Sequence, residues 1–144
     1  MSDKSNQNLL RMLPLCHKEA EKLDIIFACD GAASVGQVGH EVAVELTNYG
    51  ENARMCCITA VAAESKVHVD IAHRARKLIV INGCGNRCAT KVLERLGIPY
   101  KHEFTIAKMG IEKVPTLDFK EEDVKRIVHE VATQTDVKLK SESS

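Results

Sequence analysis

Short apolar runs alternate with longer stretches of helical periodicity along most of this chain, and few architectures accept that order. Asp24-Ile25-Ile26-Phe27-Ala28-Cys29 is apolar up to the turn residues Asp30-Gly31, which suits a buried strand. Val35, Val38, Val42, Leu46 and Tyr49 then recur at helical spacing. Ser34 and Gln37 suggest a capping box at the start of that helix, and Gly50 marks its end. Ala53 to Cys57 predicts a second strand, followed by an Ala-rich turn and a helix over Val67 to Arg76. Lys77 to Asn82 predicts a third strand and Asn86 to Leu96 a helix that stops at Gly97. Tyr100 to Ile106 is a weaker strand, and Gly110 to Lys120, with Pro115, reads as loop. Glu121-Glu122-Asp123 puts negative charge in the first turn of a final helix with Val124, Ile127, Val128 and Val131 on its apolar face.

Strands apolar enough to be covered on both faces, separated by helices, predict a parallel sheet with right-handed crossovers. The expected fold is α/β: one doubly wound, Rossmann-like domain with a mainly parallel sheet of about four strands. Its expected bounds are 23–134, after a lead-in over 1–22 that is irregular or helical and interrupted by Pro14. Residues 135–144 read as a flexible tail ending in LKSESS.

The chain has 144 residues, enough for one core without disulfide staples. Twenty Lys and Arg balance twenty Asp and Glu, and only five side chains are Phe or Tyr, so neither phosphate attraction nor base stacking is encoded. Nucleic acid and membrane are not expected partners. The first residues carry an early acid and no signal-length apolar run, which predicts a cytoplasmic protein with its six cysteines reduced.

Cys29, Cys57 and Cys84 each fall at the expected carboxyl end of a different strand, and parallel strands bring those ends to one edge. Cys88 follows Cys84 by one turn. Thiolates are soft ligands for zinc or an iron–sulfur cluster, and a helix start favours the anionic sulfur. A lone cysteine is most often a small buried side chain; three on successive strand ends with a fourth beside them point to a site. Cys56 neighbours Cys57 on a strand and is expected to face the opposite side as a core residue. Cys16-His17 is a candidate auxiliary pair over the sheet edge.

No histidine pair has H-x-x-x-H spacing. The run Gly31 to Gly36 has neither P-loop nor G-x-G-x-x-G form, so a nucleotide is not expected. Ser34, Gly36, Gly83 and Arg87 are candidate contacts for a small anion at a helix start. Gly31 and Gly85 add backbone freedom around the same turns.

The order Cys29-x-Gly31-x-x-Ser34-x-Gly36-Gln37, Met55-x-Cys57, Ile81-Asn82-Gly83-Cys84-x-x-x-Cys88-Ala89 and Gly110-Ile111-Glu112-Lys113 resembles the DGC-domain family. The resemblance runs from about Asp24 to Val131 and implies zinc chelation by Cys29, Cys57, Cys84 and Cys88. Asn82 stands where the family's Asp-Gly-Cys triplet has aspartate, and Gly85 where proline often follows.

Three readings follow. One is a zinc-binding protein with that quartet at the sheet edge. Another is a thiol redox or sulfur-transfer enzyme or carrier, with Cys84 as nucleophile and Cys88 as resolving thiol. The third is a module sensing metal or thiol state. The corresponding partners are a metal ion or a small thiol or anion, and the amphipathic last helix leaves a homodimer open.

Overall fold

The computed structural model describes residues 10–140. Residues 1–9 of the expected lead-in and 141–144 of the expected tail lie outside the described residues. The described chain begins with a short helix α1 (Cys16–Glu19) and a 3-10 turn (Ala20–Lys22), then β1 (Asp24–Ala28), α2 (Ser34–Tyr49) and β2 (Ala53–Met55). It continues through α3 (Ile58–Ala62), α4 (Lys66–Arg74), β3 (Lys77–Asn82) and α5 (Cys88–Arg95). The last elements are β4 (His102–Thr105), a 3-10 turn (Ile106–Lys108) and α6 (Glu121–Thr135).

The four strands form one sheet in the order β2-β1-β3-β4, and every neighbouring pair is parallel. The expected α/β architecture is the one observed. Alternation along each strand divides the core in two, as the two-residue period of a strand requires. Ile26, Ala28, Ile79 and Ile81 pack with Val35, Val38, Val42 and Leu46 of α2 and with Ile127, Val128 and Val131 of α6. Ile25, Phe27, Leu78 and Val80 face the other way, onto Ile58 and Val61 of α3, Ile71 of α4 and Leu93 of α5. Burying each such aliphatic side chain is worth about 1.5–3 kcal/mol, which is why these two apolar layers set the fold.

Local details depart from the sequence reading in three places. The Ala-rich segment after Cys57 is a helix, α3, rather than a turn. Ser34 and Gln37 make no capping box: Ala33 occupies the cap position of α2, and the Gln37 side chain donates back to the Gly31 carbonyl at 3.0 Å. Past α6 the chain stays on the domain. Val137 is buried, the Glu51 N–H donates to the Lys138 carbonyl, and Gly50 bridges Leu139.

The amino end of the sheet is closed by charge. Asp24 is 1% exposed at the start of β1, and Arg76 grips both its oxygens at 2.9 Å, with Lys77 Nζ at 3.8 Å. A bidentate guanidinium is the arrangement that makes a buried carboxylate tolerable. The opposite, carboxyl end holds the thiols.

Candidate functional site

β1 leads through α2 to β2 on one side, whereas β3 lies on its other side, so the chain reverses direction in the sheet between β1 and β3. In open parallel sheets the crevice beyond the strands at that reversal is the usual place for a ligand. Cys29 follows β1 there and Cys84 follows β3. The Cys29 N–H donates to the Ile81 carbonyl at 3.1 Å, which ties the two strand ends together.

The turn from Gly83 to Asn86 surrounds three different sulfurs with N–H donors. The Gly83 N–H donates to Cys29 Sγ at 3.3 Å, and the Asn86 side-chain amide donates to Cys88 Sγ at 3.0 Å. The Asn86 backbone N–H is placed to favour the Cys84 thiolate. Lys113 Nζ lies 3.6 Å from Cys84 Sγ, reaching it from the 110–120 loop. The Asn86 N–H, and then the Lys113 charge and hydrogen bond, pull the Cys84 pKa below the ordinary thiol value against an opposing desolvation.

The three strand-end cysteines and Cys88 at the start of α5 are free thiols, and they do not all meet. Cys29 and Cys88 line one cavity of about 170 Å³. Cys29 packs toward the α3, α4 and α5 face and Cys84 toward the α2 and α6 face, so they straddle the sheet edge. Cys57 is exposed and lines a separate cavity of about 440 Å³, with Ile58 and Thr59 in the walls of both. Among the described residues, no group of three or more His, Cys, Asp or Glu side chains is placed to hold a metal ion.

Cys16 and Cys56 are joined as a disulfide, Cα to Cα 7.3 Å, which corrects the expectation of six reduced thiols. Cys56 is accordingly a half-buried partner of Cys16 as well as a packing residue. Arg54 lies beside them. It donates from Nε to the Pro14 carbonyl at 2.9 Å and from Nη1 to the Met55 carbonyl, and burial pulls its pKa down.

The candidate small-anion contacts Ser34, Gly36, Gly83 and Arg87 already have neighbours within the chain. The Ser34 hydroxyl donates to the Glu112 carbonyl and accepts from the Val114 N–H, pinning the 110–120 loop to the start of α2. Gly83 is pressed against Gly36, backbone to backbone. Arg87 is spent on Glu103, through Nε at 2.5 Å and Nη2 at 3.0 Å.

Glu103 is also the centre of a network that sequence reasoning missed. Asn82, 1% exposed, donates to Thr90 Oγ1 at 2.7 Å and to Glu103 at 3.1 Å, and its carbonyl accepts the Thr90 N–H. The Thr90 hydroxyl donates to Glu103 at 2.7 Å. Arg87 first, with Thr90 and Asn82, holds the Glu103 carboxyl below its usual pKa. Three residues on β3, α5 and β4 thereby fix the turn that serves the sulfurs.

A parallel α/β domain with thiols at its carboxyl edge is the class that fold and site define. The DGC-domain model matches residues 25–131, and the chain belongs to that family. It is 25% identical over 111 residues to the anaerobic and virulence modulator AnvM of Pseudomonas aeruginosa, covering 77% of this chain and 84% of that protein. No solved structure matches it. No helix among the described residues is long and apolar enough to cross a membrane.

Proposed function

We propose that the carboxyl edge is a thiolate site that works by thiol–disulfide exchange, with Cys84 as nucleophile and Cys88 as resolving thiol. One observation carries this reading: donors converge on three sulfurs at this edge, from Gly83 to Cys29, from Asn86 to Cys88 and from Lys113 to Cys84. Donors aimed at sulfur stabilise the anion, and the anion is the attacking species.

Against a low-molecular-weight disulfide, the Cys84 thiolate attacks one sulfur, forming a mixed disulfide and releasing the other half as thiolate. The Cys88 thiolate then attacks Cys84 Sγ, closing an intramolecular bond and expelling the second half. The small disulfide gains two electrons and the protein loses two. Lys113 holds the negative charge on Cys84 before the attack. The relative's name, anaerobic and virulence modulator, suits a protein whose thiol state is read by something else.

A lowered Cys84 pKa means that its thiolate persists at a pH where an ordinary cysteine is protonated. Iodoacetamide labelling, resolved by peptide mass spectrometry, is expected to modify Cys84 several-fold faster than Cys57 at pH 7, with the gap narrowing as pH rises. Lys113→Met should slow Cys84 alone. Equal rates at all four free thiols across the pH range sink the reading.

Zinc is the second reading, favoured by four free thiols on three neighbouring strand ends and one helix start. Thiolate donors fit zinc in kind. Their placement does not fit it, since no three are grouped among the described residues. Cys29, Cys57, Cys84 and Cys88 would be the ligands, with Cys57 drawn across to the others. Elemental analysis of anaerobically purified protein decides it: about one equivalent of zinc, lost in Cys57→Ser, sustains a four-thiolate site, and trace zinc ends it.

A further inference from the structure

Cys56 and Cys57 border two cavities, of about 440 and 280 Å³, that share a wall made by Arg54, Met55, Cys56 and Cys57. The larger cavity is mostly apolar, through Leu13, Val44, Met55 and Ile58. The smaller one also takes in Cys16, so the disulfide is reachable from open space.

Arg54 is the only cation in the shared wall, and its hydrogen bonds go to two neutral carbonyl oxygens. No carboxylate of the described residues forms an ion pair with it: Asp30, on the same larger cavity, is paired with His40 at 2.9 Å. A half-buried guanidinium without a counter-ion has spare fork donors for a carboxylate.

We propose that these cavities bind a small thiol carrying a carboxylate, with Arg54 receiving the carboxylate, the apolar wall the carbon chain, and the Cys16–Cys56 disulfide the sulfur. The identity of the ligand class comes from the wall itself. A plain carboxylate would satisfy Arg54, and only a thiol would also use the two sulfurs beside it.

The reaction balances without a further oxidant. The ligand thiolate attacks Cys56 Sγ, forming a mixed disulfide, while Cys16 leaves as thiolate and takes a proton from water. A second ligand thiolate attacks the ligand sulfur of that bond, releasing the ligand disulfide and the Cys56 thiolate. Two ligand thiols are oxidised and one protein disulfide is reduced. None of this uses Cys84 or Cys88, so the inference stands apart from the site proposed above.

The test is reduction of the Cys16–Cys56 bond in the full chain under argon, with 3-mercaptopropionate and its methyl ester compared at equal thiolate concentration. Peptide mass spectrometry follows the mixed disulfide on Cys56. The acid is expected to show saturation and the ester a linear dependence, with the acid about tenfold faster at low concentration. Arg54→Gln should remove that advantage, and Arg54→Lys should keep only part of it. Val44→Phe, which narrows the cavity while keeping Arg54 and both cysteines, should raise the half-saturating concentration, and keeps the test informative if an Arg54 variant fails to fold. Equal rates for acid and ester in the wild type, or an advantage that survives Arg54→Gln, overturns the proposal.

Discussion

Gly36→Ala is expected to destabilise the protein by about 3 kcal/mol or more, enough to leave much of it unfolded at moderate urea. A Cβ on Gly36 would lie 2.2 Å from the Gly31 carbonyl oxygen and 2.7 Å from Gly31 Cα. These are backbone atoms, so no rotamer change relieves the clash. The other side is closed as well, since Gly83 approaches so closely that its own Cβ would lie 2.9 Å from Gly36 N and Cα. The turn after β1, through Gly31, and the turn after β3, through Gly83, are thus both pressed against Gly36 in the first turn of α2. Urea unfolding measures the effect; a shift below about 0.5 kcal/mol would mean the two turns separate freely. The same variant should weaken the Gly83 contact to Cys29 and raise labelling at that thiol.

Asn82→Asp, the change that would restore the family's Asp-Gly-Cys triplet, is expected to cost about 2–3 kcal/mol at neutral pH. The Asn82 amide is buried and donates to Glu103. An aspartate there would set one carboxylate against another, taking away the Asn82 donor while Arg87 and Thr90 still serve Glu103, with little water to separate the charges. The repulsion raises the new carboxyl's pKa in the folded state. Its penalty is therefore small in acid and grows as pH rises through the carboxylate range. Glu103 in the wild type has the opposite sign: its lowered pKa gives stability that is present above the ordinary carboxylate value and lost as pH falls through the folded one. Thermal melts of both proteins from pH 4 to 8 test this, with the difference widest at the alkaline end. A variant as stable as the wild type at pH 8 refutes the account. Asn82→Asp combined with Glu103→Gln should recover most of the loss.

Much of the fold was legible because apolar runs and helical repeats register which surfaces must be buried. Asp24 to Ala28 and Lys77 to Asn82 read as strands for that reason, and both are central in the sheet. The helix α3 was not legible, because Ile58–Ala62 is too short for a full periodic pattern and has no side-chain cap. The strand-end placement of Cys29, Cys57 and Cys84 was also legible. Their separation was not. It depends on strand order, which puts β2 on the outer side of β1, and on Ile58 and Thr59, which stand between the Cys57 cavity and the Cys29 and Cys88 cavity.

The donors around the sulfurs were hidden for a different reason. Lys113 reaches Cys84 across 29 positions, from a loop whose place is set by Ser34. Asn86 was visible in the sequence but its two roles, backbone N–H to one sulfur and amide to another, depend on the turn that Arg87 completes with a left-handed φ of 53°. Nothing in residue type announces that Arg87 will adopt that conformation. Its pairing with Glu103, visible only once β4 is in place, anchors the side chain of this sterically disfavoured residue.

The Cys16–Cys56 bond also has a meaning for the unfolded chain. It joins residues 40 positions apart and encloses β1, α2 and the whole of β2 in one covalent ring. A ring of that size removes about 4 kcal/mol of disorder from the denatured ensemble, on the loop-entropy model. Oxidation at this pair therefore biases the first half of the chain toward its native topology before any strand has paired, and reduction gives that bias back.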